Sequence, residues 1–188
     1  MLSLTSVVVL SLGLHALGLT PPSNLPTVAL GAFNASGSAI INSPDIDQAW
    51  NMLLNFSDYA NWNPFVRQQT ILNEWLLPAA DQTPKENDKF LIVCQIPPLA
   101  APVNASTPSN ALNTRITYEN LTDIIPAKHQ VSWTTDFAPD WLIHSVRWST
   151  VFDGLFGGAV GLIGDDLNKS FQAQADAMKA VMEGTYYN

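Results

Sequence analysis

The strongest constraint on this chain's fold lies near its end. Leu167, Phe171, Ala175, Met178 and Met182 recur at steps of four, four, three and four, which puts them on one face of a long helix, and Gly184 follows as a stop. A helix with one apolar face has to be covered by another layer. That layer is legible upstream as strand patterns separated by turn residues, at 66–77, 89–96, 114–121, 129–137 and 141–151. In the fourth, Val131, Trp133, Thr135 and Phe137 share the more apolar face, and the same alternation predicts that Phe90, Ile92, Cys94 and Ile96 point inward, with Ile116 and Tyr118. Residues 66–77 alternate poorly, the pattern expected of a bulged strand.

Ahead of these strands, residues 35–41 read as a further strand, after which Ser43 and Pro44 offer an N-cap and a first helical position. Ile46, Trp50, Leu53 and Leu54 then line one face of a helix ending near Asn55, and 58–65 reads as a second, short helical turn. This order predicts an α+β fold in which an antiparallel sheet curves around the last helix and leaves a void between them.

Composition narrows the partners. Charged residues make up 13% of the chain and hydrophobic ones 47%, too apolar for disorder, and the sole cysteine, Cys94, excludes an intramolecular disulfide, so the fold rests on packing. Eight basic residues, scattered among sixteen acidic ones, give a net charge of -8. Nucleic acid is not an expected partner, and attraction to anionic membrane surfaces is weakened.

The first eighteen residues differ in kind, because 4–17 is an almost unbroken apolar run with Ala16 and Gly18 at the cleavage-determining positions. They read as a signal peptide, 1–18, too short for a comfortable membrane span. Residues 19–34, with Pro21, Pro22 and Pro26, read as an extended leader, and 35–188 as one domain. N-x-[ST] acceptors at Asn34, Asn55, Asn104, Asn120 and Asn168 agree with a secreted, extracellular glycoprotein.

The segment 39–65, with Pro44, Trp50, Asp58, Tyr59, Trp62, Asn63, Pro64 and Phe65, resembles the entry of the START-like superfamily, also called SRPBCC, of polyketide cyclase, dehydrase and lipid-transport domains. The tail is similar as well: Phe156, Gly157 and Gly158 lead through Leu162 and Leu167 to Phe171, Met178, Lys179 and Glu183. The resemblance covers most of 39–183 and implies a helix-grip fold, a curved antiparallel sheet wrapped around the long C-terminal helix with two short helices after the first strand. It also implies structural roles for Trp62 and Pro64. The family's hairpin before the glycine turn is reduced here to Ser149–Asp153.

Within such a cavity, Phe90, Tyr118, Trp133, His144 and Trp148 are the expected ligand-binding residues, and Trp75 is a further aromatic candidate. His144 shares a face with Leu142, Val146 and Trp148 and is a candidate for acid–base work, although a core histidine satisfied by its neighbours is the simpler reading. His129 stands beside Lys128, and no histidine or cysteine spacing suits a metal. No G-x-S-x-G elbow brings Ser132 or Asp136 into a triad, and the glycines at 154, 157, 158, 161 and 164 form no phosphate loop, so no cofactor is expected. Cys94 reads as a small core residue. The long segment 97–113 reads as mobile or as a cover for a cavity mouth.

Three functions stay open: a secreted carrier of a hydrophobic small molecule such as a lipid or polyketide, a cofactor-free cyclase or dehydratase using His144 or an inward carboxylate, and a secreted structural or interaction protein with a closed cavity. The leader and the acceptors predict that the secreted protein starts near Leu19 and loses mass on N-glycosidase treatment. N-terminal sequencing that returns Met1, with an unshifted mass, contradicts both.

Overall fold

In a computed structural model the described residues are 6–10, 35–43, 45–135 and 164–187. Strands β3 (Val66–Leu72), β4 (Lys89–Gln95), β5 (Thr114–Ile125) and β6 (Gln130–Thr135) form a four-stranded antiparallel meander in chain order. Two short helices, α1 (Ile46–Leu54) and α2 (Tyr59–Trp62), joined by a 3-10 turn at Phe56–Asp58, precede it, and the long helix α3 (Gly164–Met182) follows. A separate antiparallel pair joins β1 (Ser6–Leu10) to β2 (Gly37–Ile41), so part of the apolar leader lies against the first strand of the domain. The α+β class is as expected; the strand pattern at 141–151 falls outside the described residues.

The poor alternation at 66–77 has two causes. The β3–β4 register shifts between Val66 and Gln68, a bulge, and the strand ends at Leu72 because Asn73 opens a tight turn. At α1 the N-cap is Asp45, whose Oδ1 accepts from the Gln48 amide at 3.0 Å, instead of Ser43, whose Oγ accepts from the Asp45 amide. A carboxylate at N-cap satisfies an orphan amide and meets the helix dipole as well. Ala49, Trp50 and Leu53 form the buried face, while Ile46 stays 40% exposed in the first turn.

The core is aromatic. Phe56 stacks on Phe90 with centroids 5.4 Å apart, Phe90 meets Trp133 edge-on at 5.8 Å, and Tyr59 packs on Trp62 at 5.0 Å. The buried Tyr59 hydroxyl donates to the Leu53 carbonyl at 2.7 Å, and burial raises its pKa. Asn63, wholly buried, turns the chain from α2 into β3: its Oδ1 accepts from the Phe65 and Val66 amides, both at 2.9 Å.

Segment 97–113 is held down, contrary to the expectation of mobility. Arg67, buried, donates to the carbonyls of Asn63 and Asn104, Asn110 donates its amide to Gln95 Oε1, and Val103 donates to the Tyr186 hydroxyl at 3.0 Å. Tyr186 in turn donates to the Trp62 carbonyl, so the chain's last turn, this loop and α2 share one node. Polar side chains from elsewhere supply the bonds that a loop of this length cannot make within itself.

Among the described residues one flank of β2 has no neighbouring strand, and α3 meets it. Asn168 Oδ1 accepts from the Ser36 amide at 2.8 Å, Gln172 bonds both the amide and the carbonyl of Ser38, Lys179 donates to the Ile40 carbonyl at 2.6 Å, and Glu183 accepts from the Asn42 amide at 2.8 Å. These residues stand four, seven and four apart, one stripe along the helix, and they reach every second residue of the strand. The hydrogen bond from Lys179 holds the Glu183 carboxyl below its ordinary pKa, so this contact persists above the usual carboxylate range and loosens as pH falls through the lowered value. Gly184, at φ 70°, then ends the helix, with the Thr185 amide donating to the Ala180 carbonyl and Gly184 to Val181.

The close approach needs a glycine. A Cβ on Gly37 would lie 2.2 Å from the Phe171 carbonyl oxygen and 2.5 Å from the Gln172 nitrogen, both backbone atoms that cannot rotate away. Gly37→Ala is therefore expected to lower the unfolding free energy by about 2–3 kcal/mol through forced separation of strand and helix. A denaturation midpoint equal to that of the parent would show that β2 does not sit on α3.

Candidate functional site

Cross-strand pairs fix which residues share a face of the sheet, because directly opposed side chains point to the same side. Gln69 opposes Ile92, which opposes Thr117; Ile71 opposes Phe90, which opposes Glu119; and Cys94 opposes Arg115. Leu121 and Trp133 extend this face onto β6. Gln69, Ile71, Phe90, Ile92, Cys94, Glu119 and Leu121 are all buried, so this is the inner face.

Helix α3 presents its buried arc to the same side. Ser170, Gln174 and Met178, at four-residue steps, are all buried, with Leu167 and Ala177 beside them. The Ser170 hydroxyl lies 3.3 Å from the Gln95 carbonyl on β4, and the Phe171 ring meets Phe65 edge-on at 5.1 Å. Gln174 is central in this arc and only 3% exposed.

Two primary amides are thus buried, Gln69 on the inner face of β3 and Gln174 on α3. Gln69 is 4% exposed, and its Oε1 has no hydrogen-bond partner among the described residues. Leaving a buried polar atom unpaired costs about 1–3 kcal/mol, so such an atom calls for an explanation. Two other buried donors also lack partners, Trp62 Nε1 and Asn63 Nδ2. They lie in the α2–β3 junction, where Asn63 Oδ1 already caps two amides and the Trp62 carbonyl is taken by Tyr186, which is a structural setting. Gln69 has no such task.

Chemically, the amides on this wall are suited to hydrogen bonding. Neutral amides donate and accept hydrogen bonds but do not carry protons at ordinary pH. Cys94 is no nucleophile, since burial above all pushes its thiol up to about 12, with Arg115 pulling down and Glu119 pushing further up. Glu119 is an inner-face carboxylate at the sheet's centre and is 7% exposed. Ser132 bonds to Thr122 and Asp123. His129 joins Asp47 Oδ1 at 3.0 Å and stands edge-on to Trp50, tying the β5–β6 turn to α1. Among the described residues no group of three or more histidine, cysteine or acidic side chains is placed to hold a metal.

The expected ligand-binding residues fare unevenly. Phe90 is on the inner face but wholly buried between Phe56 and Trp133, and Trp133 is half-buried on the same face. Tyr118 must be corrected: it opposes Leu91 on the outer face and is 36% exposed, as Ile116 is 59% exposed. On β5 the polar residues Thr117 and Glu119 take the inside, so choosing the face by apolarity inverted it. Trp75, 75% exposed in the β3–β4 connection, lines no interior pocket. His144 and Trp148 lie outside the described residues. Gln69 and Gln174 were missed, the first behind the bulge, the second although a polar residue amid the apolar positions 167, 171 and 178 could have been noticed.

Of the acceptors, Asn55 and Asn104 are exposed, while Asn120 is half-buried within β5 and Asn34 lies outside the described residues. Asn168 is half-buried with both amide atoms engaged, Oδ1 by Ser36 and Nδ2 by the Gly164 carbonyl, so a glycan there conflicts with the strand–helix contact. A groove of about 390 Å³ between the loop at Leu99 to Pro102 and Ala173, Ala177 and Ala180 lies on another flank of α3; its polar Tyr186 hydroxyl is already bonded twice.

The Cys94 thiol should be alkylated about a thousandfold more slowly at pH 8 in the folded protein than in denaturant, because so little of it is thiolate. Equal rates, followed by mass spectrometry, would place it in solvent. No family model, curated protein or solved structure matches this chain.

Proposed function

We propose that this chain is a secreted, START-like binding protein of helix-grip architecture, which holds an apolar small molecule between the inner face of β3–β6 and α3. The molecule carries one uncharged polar group that meets Gln69 and Gln174. The unpaired, buried Gln69 Oε1 is the observation that carries this reading, since a ligand hydroxyl or amide would supply its missing donor. Ile92, Met178 and Phe171 offer apolar contact around it, and Trp133 is the expected aromatic neighbour, joined in this proposal by His144 and Trp148. A net charge of -8 disfavours an anionic ligand. The apolar leader, and the exposed acceptors Asn55 and Asn104, support secretion.

A second reading, a cofactor-free cyclase or dehydratase, is favoured by Glu119, an inner-face carboxylate of the kind that could move a proton. Kinetics separate the two readings. Loss of a general acid or base in Glu119→Gln lowers turnover roughly a hundredfold or more, whereas a carrier shows no product to lose.

The binding test uses Gln69→Leu and Gln174→Leu against long-chain alcohols, sterols, aromatic polyketides and fatty acids. Each variant is expected to bind the preferred ligand about 2- to 12-fold more weakly, the equivalent of one neutral hydrogen bond of about 0.5–1.5 kcal/mol. Without ligand, Gln69→Leu should melt above the parent, because an unpaired buried amide has been removed. If no panel member binds and Gln69→Leu is destabilised, the interior is closed and its amides are structural.

A further inference from the structure

The outer face of the sheet carries an apolar block on its two central strands. Tyr118 opposes Leu91 and Ile116 opposes Val93, so the four side chains adjoin one another across β4 and β5. Ile116 is 59% exposed and Tyr118 36%, while Leu91 and Val93 are half-buried. Polar residues border the block. Gln68 and Thr70 on β3 oppose Val93 and Leu91, and Asn120 stands at its other end, opposed by Lys89 on one side and Thr134 on the other. Asn120 opens the acceptor Asn120-Leu121-Thr122 and follows Tyr118 by two residues, so both side chains leave the same face of β5 about 7 Å apart. It is half-buried, and among the described residues its side-chain amide makes no hydrogen bond, whereas that of Asn168 is engaged at both atoms.

We infer that Asn120 carries an N-linked glycan whose first N-acetylglucosamine lies against the Tyr118 ring and whose core shields Ile116, Leu91 and Val93. Such a glycan requires that the chain is secreted, as proposed above, because its donor is met in the secretory pathway. There Asn120 Nδ2 attacks the anomeric carbon of a lipid-linked oligosaccharide diphosphate. The C–N bond forms, the C–O bond breaks with its electron pair leaving on the diphosphate, and Nδ2 gives up one proton. The acceptor is modified while the chain is extended, before β4 and β6 flank it, so a place in mid-sheet is no obstacle. The C–H groups of a sugar ring carry slight positive charge and suit the negative face of an aromatic ring, while its hydroxyls stay in water. Neither Asn55 nor Asn104 follows an aromatic at this spacing. A contiguous apolar surface otherwise invites association, and a bulky, soluble cover prevents it.

Site-resolved glycopeptide mass spectrometry of the protein secreted from a eukaryotic host reads the modification, and chemical denaturation of the secreted parent, Asn120→Gln, Tyr118→Thr and the double variant reads the contact. Asn120 is expected to be occupied. With Tyr118 present, loss of this glycan should lower the folding equilibrium constant roughly 3- to 10-fold, the worth of one aromatic contact, and in the Tyr118→Thr background by less than about twofold. Tyr118→Phe keeps the ring and should keep the coupling, which separates stacking from a fold weakened by substitution. Glycans at Asn55 or Asn104 with none at Asn120 overturn this inference and leave secretion standing, whereas no glycan at any acceptor overturns both. An occupied Asn120 whose loss costs the same with Tyr118 as with threonine there also overturns it. So does an unmodified Asn120 in a dimer that Ile116→Ser converts to monomer, which would assign the face to a second copy.

Discussion

The stripe of Asn168, Gln172, Lys179 and Glu183 along β2 governs more of this molecule than any other contact. A strand edge left without a neighbour exposes a row of unpaired backbone groups, and here side chains of a helix satisfy them on the flank of β2 away from β1. Because successive residues turn by about 100° around a helix, fixing Gln172 on β2 sends Gln174 to roughly the opposite side, toward the sheet. The rotation of α3 is thereby determined by polar contacts, and the apolar arc follows. Gly37 permits the approach that makes those contacts possible.

The interior divides into two regions of different character. Under the short helices, Phe56, Phe90, Trp133, Tyr59 and Trp62 pack ring against ring, and the Tyr59 hydroxyl is bonded within the chain, whereas Trp62 Nε1 and Asn63 Nδ2 have no partner among the described residues. Beneath the middle of α3, amides and a carboxylate share the wall with Ile92 and Met178.

Periodicity was a sound guide wherever a helix or strand was regular. The α3 face, its glycine stop, the β4 alternation and the bulge in β3 were all legible, since each is a local consequence of 3.6- or two-residue spacing. Side choice on β5 was not, because Ile116 and Tyr118 are as apolar as any core pair and only the register against Leu91 and Val93 reveals that they face out. The pinning of 97–113 was equally hidden: it depends on Arg67, Tyr186 and Gln95, which are remote in sequence or carry no pattern. Capping by Asp45 in place of Ser43 shows the same limit, since both residues are good caps and a two-residue choice is decided by where the helix first finds its partners.

The bonds between β2 and α3 join residues 132 to 141 positions apart. Contacts of such sequence separation close slowly, because a long intervening loop must be brought together before any bond rewards it. During synthesis the first strand is complete long before the helix that covers it has been made. The nascent chain therefore carries an open, uncharged strand edge, Gly37–Ile41, through most of its translation, and a chaperone is what would keep that edge from pairing with a neighbouring chain.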